Sequence, residues 1–293
     1  MEDILTALAL RLKQKDNSAN KGTNGTLTVA AGSELYRGAA VLASSAALRC
    51  GVGIVRLVSV EKVISSAAAR LPECVFLPTE SENGAMSYRD FARKMPAFSK
   101  SRAVLAGCGM TDCTDTGNII AELIKYGGYQ LIIDADGLNS IKNRPELLKS
   151  AALPPVITPH IGEMARLTGA SADAIKSDRE KTAAEFSRKY NCITVLKDCK
   201  TVISSPEGKL FVCDRPNAGL AKGGSGDVLS GIISSFAAQG YDAFDAAVCG
   251  TALHSLAAES AREKLTEYSM LPSDIVAEIP GVFARIGKTR NYR

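Results

Sequence analysis

Short apolar runs alternate along this chain with longer segments of helical spacing. After a polar loop from Gln14 to Gly25, Leu27 to Ala31 predicts a buried strand. Tyr36 to Arg49, rich in alanine, serine and leucine, predicts a closely packed helix. Gly51 and Gly53 end it, and Ile54 to Val60 is the next strand. Strand, helix, strand in this order is a βαβ unit, which implies a parallel sheet. The rhythm continues with a helix-like patch ending over Ala67 to Leu71, a strand at Val75 to Leu77 and a loop near Asn83 and Gly84. Strands follow at Arg102–Leu105, Gln130–Ile133, Val156–Thr158 and Ile193–Lys197. Between them lie helices at Gly117–Tyr126, Met164–Thr168 and Ala172–Tyr190. Thr201–Ser204 and Lys209–Cys213 flank the turn Ser205-Pro206-Glu207-Gly208, which predicts an antiparallel hairpin. The remainder is helical, over Asp227–Gln239, Phe244–Lys264 and Ser273–Ile286. Ahead of everything, Ile4, Leu5, Leu8 and Leu12 suit a short amphipathic helix. The expected architecture is one α/β domain over residues 1–293, a largely parallel sheet between helices, with residues 1–20 as a leading helix and loop.

Composition narrows the partners. With 46% hydrophobic and 23% charged residues, the chain has material for a large core. The net charge of +4 is small, lysine and arginine are dispersed, and tryptophan is absent, so nucleic acid is not an expected partner. Lys288, Arg290 and Arg293 form a near-cluster best explained as a solvated end. None of the eight cysteines sits in a C-x-x-C pair, which points to reduced thiols in a cytoplasmic protein and to no zinc site. Acids occupy the N-terminus where a signal peptide needs bases, and no uncharged apolar run is long enough for a bilayer.

The candidate chemistry centres on Gly223-Gly224-Ser225-Gly226-Asp227 and the apolar run behind it. A glycine turn opening a helix aims unpaired N–H groups at one point and makes an anion site, most often for phosphate. The N–H groups of Gly224, Ser225 and Gly226 are candidates to hold charge developing on a phosphoryl group, and Asp227 to accept a proton from an attacking hydroxyl. Alternatively, Asp227 only stabilises the helix start. No G-x-x-x-x-G-K-[ST] surrounds this turn, so it is not a Walker loop. Ligands of open α/β sheets bind beyond the carboxyl ends of the strands. Gly32-Ser33, Gly107 to Gly109, Asp134 to Asp136, Pro159-His160 and Lys197-Asp198 all follow predicted strands and should line that rim.

Several of these residues keep two readings. Lys197 to Thr201 (KDCKT) suits a nucleotide, or a solvated strand end. His160 suits a substrate contact or a satisfied loop histidine, whereas His254 suits a packed helix position. Asp134 and Asp136 suit a metal or polar ligand, or a cap for the turn at Gly137-Leu138-Asn139. Lys222 suits added charge at the turn, or better a solvated loop.

Five stretches, KGTNGTLTVAAGSELYRGAAVLASSAALRCGVGIV, LIIDADGLN, VITPHIGEMARLTG, VLKDCKTVISSPEGKLFVCD and AGLAKGGSGDVLSGIISSFAAQG, resemble the ADP/ATP-dependent NAD(P)H-hydrate dehydratases of the ribokinase-like superfamily. The resemblance runs in family order from Lys21 to about Glu259. It implies a carbon–oxygen lyase of metabolite repair. The S epimer of NADH or NADPH hydrate is phosphorylated on its ring hydroxyl by ADP or ATP, and loss of phosphate restores the cofactor. By the same resemblance Asp227 is the catalytic aspartate and a substrate contact, and Gly226 an AMP contact in the anion hole. Lys197, Asp198, Cys199, Lys200 and Thr201 are nucleotide contacts, and Ala40, Gly109 and His160 substrate contacts. It further implies Mg2+ with unassigned ligands, a homo-oligomer with a tetramer favoured, and an NAD(P)H-hydrate epimerase on a separate chain, since no stretch before Lys21 has room for one. Asp198, Pro216, Lys222 and Ala30-Ala31 depart from the family pattern, and the extra acid at 198 leaves ADP against ATP open. The alternatives are a ribokinase-like kinase of a small alcohol such as hydroxyethylthiazole, and a nucleotide sensor without turnover.

Overall fold

A computed structural model describes residues 4–291, with side chains through residue 287. The tail residues Lys288, Arg290 and Arg293 and the N-terminal acids Glu2 and Asp3 lie outside the described side chains. The chain opens with α1 (Ile4–Arg11), β1 (Thr26–Ala30), α2 (Arg37–Arg49), β2 (Ile54–Val60), α3 (Glu61–Ala68) and β3 (Val75–Thr79). A small hairpin follows, β4 (Ser81–Glu82) with β5 (Ala85–Met86), then α4 (Tyr88–Lys94), β6 (Ala103–Ala106), α5 (Thr114–Tyr126) and β7 (Gln130–Ile133). Next come α6 (Asp136–Ser140), β8 (Val156–Ile157), α7 (Ile161–Thr168), α8 (Ala172–Ser177), α9 (Arg179–Tyr190) and β9 (Ile193–Leu196). The hairpin β10 (Thr201–Ser204) and β11 (Leu210–Cys213) precedes α10 (Ser225–Ala238), α11 (Ala243–Ser269) and α12 (Pro272–Asn291).

The main sheet runs β11-β10-β9-β8-β7-β6-β1-β2-β3. Every pairing from β9 to β3 is parallel, and β10 pairs antiparallel with both β9 and β11. The expected α/β class, parallel sheet and antiparallel hairpin are all observed. β1, β6, β8 and β9 are buried along their length, as sheets covered on both faces require. The strand order reverses between β1 and β6, and such a switch point opens a crevice beyond the strand ends.

Helix α10 is the central packing element. Val228 through Ala238 are all buried; the apolar residues pack, and the buried Ser230, Ser234 and Ser235 hydroxyls each find an acceptor. A Cβ on Gly231 would stand 2.2 Å from the Ala43 carbonyl of α2, and one on Gly250 of α11 would stand 2.4 Å from Ile233. Glycine at these two crossings lets helix backbones touch, and the alanine-rich α2 offers the matching shallow surface.

The structure corrects some boundaries. The single helix expected over Ala172–Tyr190 is two, because Asp178 (φ −145°, ψ 72°) leaves the helical region and its carboxylate accepts the Lys181 N–H. This local competition between side chain and backbone is what makes aspartate a helix starter. Helix α7 begins at Ile161, ahead of the expected Met164, because His160 caps it. No helix among the described residues is long and apolar enough to cross a membrane.

Candidate active site

The turn before α10 is built around Gly224, whose φ of 102° is a left-handed conformation open to glycine. Gly224 is the N-cap, so Ser225, Gly226 and Asp227 form the first turn of the helix. Gly226 and Asp227 have no backbone acceptor for their N–H groups among the described residues, whereas Ser225 N–H reaches back to the Lys222 carbonyl at 3.3 Å. Of the expected donors, the Ser225 amide is therefore partly committed, whereas the Gly226 amide is not. The Ser225 hydroxyl is buried without a partner among the described residues, a polar atom left for a ligand to satisfy.

Asp227 is the acid in the first turn of α10, a position the helix-start alternative also fits, but no capping hydrogen bond holds its carboxylate there. It stands instead beside Cys108, from the loop after β6, and Asp134, from the end of β7. These three side chains each offer an atom within 4.8 Å of the others. Burial, and then the charge of Asp134, push the Asp227 carboxyl up to about 6, against the pull of the Cys108 thiol and Lys197. Burial and the two carboxylates push the Cys108 thiol up well above its usual range, so it stays protonated.

Asp134 anchors the floor. Its Oδ1 accepts from Lys197 Nζ at 2.7 Å, and its Oδ2 accepts from Ser230 Oγ at 2.5 Å and more weakly from the Cys108 thiol at 3.9 Å. The pair joins the ends of β7 and β9. Burial opposes the Lys197 charge, but Asp134 and Glu163 outweigh it and raise its pKa. The ammonium also flanks the glycine turn, 3.3 Å from where a Gly226 Cβ would stand. A cation, two free amides and a helix N-terminus therefore meet at one place, next to a carboxyl poised to gain or lose a proton.

His160 caps α7. Its Nδ1 accepts from the Gly162 and Glu163 amides at 2.9 and 3.3 Å, and Glu163 accepts the His160 N–H at 2.8 Å. The ring is half exposed at the rim, so the histidine is both a satisfied cap and an accessible surface. Backbone bridging between His160 and Lys197 ties the two rim segments together. Glu163 was not singled out in the sequence. Its position three residues after a cap, in Pro159-His160-Ile161-Gly162-Glu163, is the capping-box spacing that would have found it.

Other expected residues fall in different settings. Asp136 accepts the Thr111 N–H at 2.8 Å, and the N-cap of α6 is Ala135, with no side-chain capping bond. Gly109 packs against the start of α2, where a Cβ would stand 2.7 Å from that of Tyr36. Ala40 is wholly buried against the Gly32 turn. Asp198 is paired with Arg179 at 2.9 and 2.5 Å, and Lys200 with Asp214 at 2.8 Å. Cys199 is exposed, and Thr201 begins β10. Lys222 is a partly exposed loop residue whose ammonium donates to the Tyr268 and Met270 carbonyls at the end of α11. Beyond the Lys200–Asp214 pair lies an open pocket lined by Asp214, Asn217, Ser255, Glu259 and Arg262.

Cys108, Asp134 and Asp227 do not suit Mg2+. The ion requires hard oxygen donors, the thiol is soft, and both Asp134 oxygens already accept hydrogen bonds.

The family model described as NAD(P)H-hydrate dehydratase matches residues 27–281. The chain is 32% identical over 97% of its length to the bifunctional NAD(P)H-hydrate repair enzyme Nnr of Moorella thermoacetica, and spans 54% of that protein. It thus covers about half the length of such bifunctional relatives. It is 30% identical to the ADP-dependent (S)-NAD(P)H-hydrate dehydratase of Xanthomonas campestris, covering 96% of each chain. The crystal structure of an ADP/ATP-dependent NAD(P)H-hydrate dehydratase from Bacillus subtilis, co-crystallised with ATP/Mg2+, superposes with a TM-score of 0.82 at 26% identity, over 95% of this chain and 96% of that one. With a family model spanning the sheet and the glycine turn alike, the chain belongs to the NAD(P)H-hydrate dehydratase family.

Proposed function

We propose that this protein dehydrates the S epimer of NADH or NADPH hydrate at the expense of ADP or ATP. The observation that carries the reading is Asp227. A carboxyl pushed up to about 6 stands in the first turn of α10, beside free amides and the Lys197 ammonium. At neutral pH it is mostly ionised and still basic enough to take a proton.

The ring hydroxyl loses its proton to Asp227 as its oxygen bonds to the terminal phosphorus of the nucleotide. The bond from that phosphorus to the bridging oxygen breaks, releasing AMP from ADP or ADP from ATP. The Gly226 and Asp227 amides and Lys197 stabilise the charge on the transferring group. The phosphorylated carbon then loses phosphate with its bonding electrons, and a proton leaves the neighbouring ring carbon, which restores the double bond. The adenosine portion is assigned to the pocket beyond Lys200 and Asp214, which adjoins the KDCKT segment. Asp198 supports either nucleotide, because Arg179 already neutralises it. No step is assigned to magnesium. The protein is further proposed to act as a homo-oligomer in the cytoplasm, with an epimerase supplying the S epimer.

Asp227→Asn tests the assignment. Turnover should fall roughly 10²–10⁴-fold while ADP still binds, as for loss of a general base. Turnover that survives the change removes Asp227 from the mechanism. A stable phosphorylated product in the native protein would make it a small-alcohol kinase instead.

A further inference from the structure

Lys222 opens the glycine turn, and its side chain is tied to a distant part of the chain. The Lys222 carbonyl accepts the Ser225 N–H at 3.3 Å, which closes a four-residue turn over Gly223 and Gly224. Gly224 (φ 102°, ψ −17°) has the conformation that the third position of a type II turn requires. The Lys222 ammonium donates to the carbonyls of Tyr268 and Met270 at 2.8 and 2.7 Å, 46 and 48 residues further along.

A lysine bonded to the last carbonyls of a helix is ordinarily a cap. Here α11 leaves the helical region at Thr266 (φ 63°, ψ 164°), ahead of both carbonyls, so the lysine grips the connection into α12. That connection is firmly seated. Met270 is fully buried and lies so close to Gly219 that a Cβ there would overlap its sulfur. Pro272, the first residue of α12, lies over the turn, where a Cβ on Gly224 would stand 3.2 Å from it. The turn itself has less to hold it. Two consecutive glycines leave its backbone free to rotate, and a Cβ on Gly223 would meet nothing within 4 Å. The Gly226 and Asp227 amides follow directly on this turn, so their aim depends on what fixes its first residue.

We propose that Lys222 is a positioning residue for the anion site: its ammonium fastens the glycine turn to the α11–α12 connection and so holds the Gly226 and Asp227 amides where phosphate binds. The inference rests on the functional reading above only in that the ligand carries phosphate. Lys222 acts through the backbone of the turn and not through its own charge.

The test is calorimetric titration of the intact protein with ADP and with pyrophosphate, at low and high salt, alongside its melting temperature. Lys222→Met keeps the apolar stem and loses the donors. A freed turn that holds its geometry about a tenth of the time should bind ADP about tenfold more weakly. The ratio of native to variant affinity should be the same at about 0.1 M and about 1 M salt, although the Debye length shrinks from about 10 to about 3 Å. A difference that disappears at the higher salt would mean that Lys222 acts by its charge, and overturns the proposal. A lower melting temperature with intact ADP affinity would make Lys222 a cap of α11 and overturns it too. Lys222→Arg keeps donors of similar reach and should bind ADP nearly as the native protein does, whereas binding as weak as that of the methionine variant counts against the tether. Should Lys222→Met fail to fold, Lys222→Gln, whose amide stops short of the two carbonyls, takes its place with the same expectations. A native protein that binds neither anion also overturns the proposal, because no cradle then exists. Native binding of ADP without conversion of NADH hydrate would sink the dehydratase and leave the role of Lys222 to the titrations.

Discussion

Asp227 and Glu163 are two carboxyls whose surroundings resist ionisation, and each gives the protein a distinct pH response. Burial is the larger cause in both, and it pushes Glu163 up to about 7. For an acid raised on folding, the unfolded chain ionises first as pH climbs. Stability therefore falls with rising pH between the unfolded and folded pKa values. For Glu163 that window runs from 4.5 to about 7. Glu163→Gln keeps an acceptor for the His160 amide, so it should flatten the decline in melting temperature across this window without loosening α7. An unchanged slope would mean that the Glu163 charge is better compensated than its burial suggests. Asp227→Asn should likewise raise stability at neutral pH by about 3 kcal/mol while turnover falls, since its carboxyl is raised from 3.8 to about 6 and one pKa unit is worth about 1.4 kcal/mol. In the native enzyme, kcat/KM should drop tenfold per pH unit below about 6, as Asp227 is protonated. Little of this was legible in sequence. Asp227 announces itself by its place after the glycine turn, and the strand ends point Cys108, Asp134 and Lys197 to one rim; which of them touch, and that Ser230 joins them, only the fold decides.

At the scale of elements, the glycine turn separates conformation from contact. Gly224→Ala forces a side chain into φ 102° and toward Leu42 at 2.6 Å, and should cost about 1–3 kcal/mol of stability. Gly226→Ala sits at a helical position, where alanine is favoured by about 1 kcal/mol, so stability should hold or rise. Its new methyl would stand 3.3 Å from Lys197 Nζ, within the space assigned to the anion, so ADP affinity should fall. Chemical denaturation and ADP titration of the two variants check the contrast. Equal effects of both on stability would contradict it. The elements themselves were largely legible, because β1, β2, β7 and β9 are mostly apolar runs bounded by glycine or polar residues, and α10 is rich in apolar and small residues on every side. What escaped was short or locally decided. The two-residue strands β4 and β5 have no period to read, α4 buries only Asp90 and Phe91, and the break at Asp178 turns on a single cap.

Across the whole molecule, the strand order sets where chemistry can occur. Reversal between β1 and β6 opens the rim, and β7, β8 and β9 extend it toward the hairpin. Parallel strands present all their carboxyl ends to one side, so Cys108, Asp134, His160 and Lys197 share a rim though far apart in sequence. Helix α10 closes it from the helical layer and brings its first turn to the strand ends through Ser230 and Asp134. The pairing of Asp198 with Arg179 belongs to this scale too, since α9 and the end of β9 meet only in the folded sheet. The account stands most directly on reduced-nicotinamide absorbance after the protein is mixed with NADH hydrate, magnesium and either ADP or ATP. It predicts a rise that requires nucleotide, releases phosphate in step and is absent with Asp227→Asn. No rise with either nucleotide, from folded protein that binds ADP, would contradict it.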